Sequence, residues 1–236
     1  MEDKNIESPK EIIDALSKIG EAITSDLYLE DILKLIVTVT AQTLKSKICS
    51  IMLLDPKKKE LTIKATQSIS KEYINKNPIK LGEGIAGIVA LENRYRAVPD
   101  ILKEDTYIYK EIAGEEGLIS LLCVPLHVKG KVIGVLNLYT SEPHQFSDYE
   151  VSLLKTVADQ AAIVIENYRL VVESKVIKEE LETRKVLERA KGILMEEHNL
   201  TENNAFKKIQ KFAMDKRKSL RDVAEAIIMS HEMQKE

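Results

Sequence analysis

Between residues 8 and 45 the apolar positions recur every three or four residues: Ile12, Ile13, Leu16, Ile19 and Ile23, then, after Asp26-Leu27-Tyr28, Ile32, Leu33, Ile36, Val39, Thr40 and Leu44. Each set falls on one face of a helix, which predicts two amphipathic helices. The period then changes. Residues 48–54 form a continuous apolar run closed by Asp55-Pro56 and lysines, and residues 61–66 alternate like a half-buried strand, so the pair reads as a hairpin. Gly82-Glu83-Gly84-Ile85-Ala86-Gly87 reads as a tight backbone turn entering a short helix, followed by a brief strand at 95–98. Residues 101–117 are polar, lack a period and are expected to form a mobile loop. Two apolar stretches, 119–128 and 131–139, joined by Lys129-Gly130, give a second hairpin.

Ser147 followed by Glu150 is a capping-box start for the next helix. Val151, Leu154, Ala158, Ala161, Ile165, Tyr168 and Val172 then follow steps of three and four, a seam of about three heptads. The same stripe would equally cover one face of a sheet. Because the helix runs on without Gly or Pro towards Gly192, the reading favoured is a parallel homodimer through the helix at 148–190. Beyond it, three helices at 179–198, 202–217 and 220–233 are marked by N-caps at Thr201 and Ser219, the latter with Asp222 as its box partner. Alanines recur where these helices must cross, at Ala190, Ala205, Ala213 and Ala224, and small side chains there permit close approach. Phe206 and Phe212 flank or lie on the stripe Ala205, Ile209, Ala213 and are assigned to the core rather than to base stacking.

The succession of elements is an α+β domain with an antiparallel sheet flanked by helices, then a long connecting helix, then an all-α three-helix domain. The boundaries read as an N-terminal helix at 1–26, the sheet domain at 27–167, and the connecting helix with the C-terminal domain at 168–236. The polar start lacks a secretion signal, and no apolar stretch approaches the ~20 residues needed to span a bilayer, so a cytoplasmic protein with no membrane association is expected.

Charge changes the picture at one place. Residues 184–221 carry 11 Lys or Arg against 5 Asp or Glu, a local excess of +6, while the remainder carries 24 against 33, or −9. A basic segment beside an acidic domain is what phosphate recognition needs, since Lys and Arg displace the counterions of a nucleic acid. Arg184, Arg189, Lys191, Lys207, Lys208, Lys211 and Arg217 are the candidate RNA contacts, with Lys191 placed between Ala190 and Gly192 where small neighbours leave room for a phosphate or base. A solvated helix surface is the simpler reading of the same charges.

Other chemistry is sparse. Cys49 and Cys123 lie in apolar runs and read as small buried hydrophobes rather than nucleophiles, and His127 and His144 lack metal-ligand spacing, so neither a metal nor a cofactor nor a catalytic group is expected. GEGIAG has neither the order of a dinucleotide fingerprint nor the Lys-Ser/Thr of a P-loop. Asp55 follows an apolar strand but precedes Pro56 in a turn, without the acidic pair a phospho-accepting receiver requires.

Two resemblances follow. The GEGIAG turn, the strand Ser120-Leu121-Leu122-Cys123-Val124-Pro125-Leu126, and Gly134-Val135-Leu136-Asn137-Leu138 with Phe146-Ser147 after it resemble a GAF domain, which implies a sensor with a small-molecule ligand pocket. Glu188-Arg189-Ala190-Lys191-Gly192-Ile193-Leu194-Met195, Ala205-Phe206, Ala213-Met214 and Leu220-Arg221-Asp222-Val223-Ala224 resemble the ANTAR domain of bacterial antiterminators. That resemblance implies binding to structured RNA hairpins in nascent transcripts and control of antitermination. An enzyme built on the GAF half, such as a sulfoxide reductase, and a protein-docking function for the C-terminal helices are the alternatives.

Overall fold

The computed structural model describes residues 28–68 and 70–235, together with 17, 20 and 21. The helix expected at 1–26 lies outside the described residues apart from those three. The chain divides into two compact units, Met1–Tyr168 and Arg169–Glu236.

In the first unit, α1 (Leu29–Thr43) precedes β1 (Ile48–Asp55) and β2 (Glu60–Thr66). A one-turn helix α2 (Lys71–Ile74), β3 (Ile79–Lys80), α3 (Gly84–Glu92), β4 (Arg96–Val98) and α4 (Lys110–Glu115) follow, then β5 (Ser120–Val128) and β6 (Lys131–Thr140). The strands form one antiparallel sheet in the order β3-β2-β1-β6-β5-β4. Strand periodicity explains why both faces are apolar. Cys49 and Ile51 of β1, Leu122, Val124 and Leu126 of β5, and Leu136 and Leu138 of β6 point to one face. Ile48, Met52, Leu121, Cys123, Val135 and Tyr139, their neighbours by one residue, point to the other. The first face packs under α1 and the start of the long helix α5 (Asp148–His198), and the second under α3 and the segment around α4.

Turn chemistry fixes the register. Lys129 and Gly130 both have positive φ, which gives the two-residue β5–β6 loop the twist of its strands. In the β1–β2 turn the Asp55 carboxylate accepts the Lys57 and Lys58 N–H groups at 2.8 and 3.1 Å. These bonds hold its pKa below the usual carboxylate value. The GEGIAG segment is the tight turn expected: a Cβ on Gly87 would lie 2.3 Å from the Lys80 carbonyl oxygen, leaving room only for glycine.

Three expectations are corrected. Residues 101–117 are not a mobile loop: they contain α4, and Ile101, Tyr107 and Ala113, followed by Leu118, are buried in the second core. Their spacing matches no regular period because the backbone between them is irregular. Second, Val151, Leu154, Ala158, Ala161 and Ile165 are buried within this chain against α1 and the sheet, so they are unavailable as a dimer seam. Only Tyr168 and Val172 of the expected seam are exposed. Third, Phe212 is 53% exposed and is not part of the core.

The second unit holds the rest of α5, α6 (Glu202–Lys216) and α7 (Leu220–Lys235). The caps read from sequence are in place. Ser147 N–H donates to Glu150 Oε2 at 2.8 Å and Glu150 N–H to Ser147 Oγ at 3.3 Å. Asp222 N–H donates to Ser219 Oγ at 3.0 Å and Ser219 N–H to Asp222 Oδ2 at 3.1 Å, while Thr201 Oγ1 accepts from Asn204 N–H. Ala190, Leu194, Ala205, Ile209, Ala213, Val223 and Ala224 form the buried core, so alanines occupy the crossings as their spacing predicted.

Candidate nucleic-acid interface

The basic segment of the second unit separates into two sets once its ion pairs are drawn. Arg189 meets Glu232 at 2.6 Å, Lys185 meets Glu182 at 2.9 Å, and Arg221 meets Glu225 at 2.7 Å. Lys191 meets both Glu188, at 2.8 Å, and Glu202, at 2.7 Å, and is only 7% exposed. The two carboxylates, Glu188 foremost, raise its pKa above the ordinary lysine value. The Lys191 ammonium is thus engaged by two carboxylates of its own unit, while beside it a Cβ on Gly192 would meet nothing within 4 Å.

Arg184, Lys207, Lys208, Lys211 and Arg217 have no carboxylate within ion-pair distance among the described residues. Lys216 and Lys218, which are not among the candidate contacts, share that condition. Helical spacing brings three of them together. Lys207, Lys208 and Lys211 lie on the face of α6 opposite the buried stripe Ala205, Ile209 and Ala213, with 207 and 211 four apart and 208 and 211 three apart. Phe212 borders this face and exposes its ring.

Arg217 ends α6 in the left-handed conformation at φ 52°. The following Lys218 N–H closes back on the Ala213 carbonyl at 3.0 Å, so the turn carries Arg217 and Lys218 past the end of the helix. Glycine is the unstrained residue for this position, and an arginine held there keeps a charge at some cost to stability.

In the first unit Ser50, Asn137 and Cys123 are paired across β1, β6 and β5 and so share one face of the sheet. Ser50 Oγ lies 2.9 Å from the Tyr73 hydroxyl. Cys49 and Cys123 are both fully buried, and burial pushes both thiols well above the ordinary cysteine value, which keeps them protonated and poor nucleophiles. No group of three or more His, Cys, Asp or Glu side chains among the described residues could hold a metal ion. No helix among them is long and apolar enough to cross a membrane.

The sheet with helices on both faces, followed by a three-helix unit with alanine crossings, defines an α+β domain joined to a small helical domain. The sequence model of the GAF domain matches residues 27–166, and that of the ANTAR domain matches residues 176–228. The chain belongs to the GAF-domain family and carries an ANTAR domain after it. It is 52% identical over 52 residues, 22% of its length, to the transcriptional regulatory protein PdtaR of Mycobacterium tuberculosis, and that match spans 25% of PdtaR. Over 163 residues, 67% of its length, it is 29% identical to the methyl sulfide methyltransferase-associated sensor of Methanosarcina acetivorans, spanning 16% of that protein. Among solved structures it resembles the GAF domain of a phosphoenolpyruvate-protein phosphotransferase from Coxiella burnetii, with a TM-score of 0.64 and 25% identity over 71% of this chain and 99% of that one. It also shares its fold with free methionine-R-sulfoxide reductase from Neisseria meningitidis, with a TM-score of 0.60 and 20% identity over 70% of this chain and 95% of that one.

Proposed function

We propose that this protein is an RNA-binding regulator of transcription antitermination, in which the GAF unit receives a signal and the ANTAR unit binds RNA hairpins in nascent transcripts. The observation that carries this reading is the un-neutralised set Arg184, Lys207, Lys208, Lys211 and Arg217 on a unit whose other basic groups are internally paired. Unpaired cations on one helix face are free to displace the counterions of RNA, whereas paired ones must first break a bond. Arg189 and Lys191 belong to the paired group, and their part is to hold the three helices in register. The similarity to PdtaR, a transcriptional regulatory protein, supports the regulatory side of the reading.

The protein acts as a homodimer through the exposed stripe of α5 beyond the first unit. Leu170, Val171, Val172, Val176, Ile177 and Leu181 are exposed there, and Leu170, Ile177 and Leu181 are spaced seven and four apart as in a coiled-coil seam. A ligand that binds one conformation of the GAF unit better than another shifts the population of α5 arrangements and with it the pairing of two ANTAR units.

Gel-shift titration of the full chain against a leader RNA with two hairpins, at several salt concentrations, tests the reading. Affinity should fall steeply with salt, and the triple substitution of Lys207, Lys208 and Lys211 by Gln should flatten the slope. Equal affinity for a scrambled single strand, or a slope unchanged by the triple substitution, would remove RNA recognition from this face.

A further inference from the structure

The interior of the GAF unit holds a positive charge without an anion. The Lys76 ammonium lies 4.4 Å from the centre of the Tyr73 ring and 5.3 Å from that of Tyr109, and no carboxylate among the described residues pairs with it. Tyr73 is fully buried. Burial pulls the Lys76 pKa from 10.5 to about 8. A desolvated ammonium is costly unless it is paired, and two ring faces compensate for only part of the lost water. The backbone around it is held in place, because the Tyr109 hydroxyl donates to the Asn77 carbonyl oxygen at 2.6 Å.

A second group on the same sheet face is also unmatched. Asn137 is buried; its Nδ2 reaches Ser50 Oγ at 3.5 Å, while its Oδ1 accepts no hydrogen bond. Ser50 Oγ in turn meets the Tyr73 hydroxyl, so contacts run from the Asn137 amide through Ser50 to the tyrosine whose ring meets the Lys76 ammonium. Cys123, opposite Asn137 in the sheet, is within electrostatic reach of Lys76. Lys76 as a whole is only half-buried, so its stem leads from solvent to this interior.

We propose that this interior is the binding site for a small organic acid, whose carboxylate pairs with Lys76 and whose hydroxyl or other donor satisfies Asn137 Oδ1. The inference rests on the reading of the GAF unit as a ligand-responsive input and names the chemistry of that ligand. A cationic ligand is the poorer match, because the ring faces already hold an ammonium and a second positive charge would be repelled. The acid supplies both missing partners at once: a negative charge for the buried cation and a donor for the buried acceptor.

The test uses the full chain with labelled lysine side chains, followed by NMR during titration with glycolate, acetate, chloride and tetramethylammonium at matched ionic strength. Glycolate, with one hydroxyl beside its carboxylate, should give a saturable shift of the Lys76 signal and raise its pKa. Acetate should bind about five- to tenfold more weakly for want of that hydrogen bond. Chloride should give no saturable shift, and Asn137→Leu should abolish the preference for glycolate. Lys76→Met, checked for an unchanged fold by its amide spectrum, should bind neither acid when followed through the ring signals of Tyr73 and Tyr109. No saturable shift with either acid, equal binding in Lys76→Met, or displacement of Lys76 by tetramethylammonium would overturn the proposal. Because binding is read on a side chain of the GAF unit without RNA, its failure is distinct from a failure of RNA recognition, which the gel shift reports alone.

Discussion

The Lys191 ammonium in the last turns of α5 lies 2.7 Å from Glu202 Oε1 in the first turn of α6. A lysine that bridges the end of one helix to the start of the next acts as a clasp, and Glu188 on its own helix completes the pairing at 2.8 Å. Lys191→Met should therefore lower the melting temperature of the ANTAR unit. RNA affinity measured well below that temperature should change little. A loss of affinity with no loss of stability would reverse the assignment and give Lys191 to the RNA.

Arg217 presents the opposite combination, since its backbone is strained and its charge is free. Arg217→Gly should stabilise the chain by about 1 kcal/mol by relieving the left-handed conformation at φ 52°. The same substitution should weaken hairpin binding and reduce its salt dependence by about one ion. Chemical denaturation and gel shift on the one variant read the two effects, and a gain in stability without loss of binding would make the arginine incidental.

Overpacking tests the alanine crossings. Ala190→Leu and Ala213→Leu add bulk at buried positions of the ANTAR core and should each destabilise it by ~1–3 kcal/mol. Calorimetry should show the transition of the GAF unit unmoved. Two variants that melt with the original would mean that the helices do not meet at these residues.

Lys76 gives the GAF unit an alkaline signature. Its folded pKa of about 8 is below its ordinary 10.5, so between these values the unfolded chain binds a proton that the folded chain has released. Lys76 should consequently contribute stability that grows with pH from about 8 towards 10, against the buried Cys49 and Cys123 thiols, which stay protonated in the folded chain and lower stability over the same range, so the original chain should gain stability relative to Lys76→Met. Above that range Tyr73, Tyr107 and Tyr139, all pushed up by burial, lower the stability of both chains alike, because the unfolded chain then loses protons that the folded chain retains. Urea midpoints across this range, compared between the two chains, measure the difference.

Two aspartates on α5 separate core from surface. Ile165→Asp buries a charge against the sheet and should unfold the GAF unit, at a cost of ~3 kcal/mol or more. Ile177→Asp lies on the exposed stripe and should leave both units folded while sedimentation reports a monomer. A folded dimer of the Ile177 variant would place the dimer contact elsewhere.

Much of this architecture was legible because local signals agreed with burial. The strands β1, β5 and β6, the Lys129-Gly130 turn, the capping box at Ser147 and the buried alanines each carry a pattern that one period or one turn type explains. The segment around Ile101, Tyr107 and Leu118 was misread because its buried residues hang from irregular backbone and share no period. The stripe from Val151 to Ile165 was misread for a different reason: three-and-four spacing states that a helix face is apolar but not what covers it. Within the candidate interface, sequence marked the basic residues and could not tell paired from free. That distinction depends on Glu202 and Glu232, which lie 11 and 43 positions from Lys191 and Arg189. Lys76 gave no signal at all, since nothing in a lysine two residues past a one-turn helix announces that its ammonium turns inward.

The sheet ends on both sides in very short strands, β3 with two residues and β4 with three. Such edges offer few unpaired backbone groups to a strand from another molecule, so the sheet is a poor template for lateral growth. The proposed pairing through α5 relies instead on side-chain contacts between helices. Contacts of that kind can form and separate without disturbing a hydrogen-bonded ladder, as a ligand-controlled pairing would require.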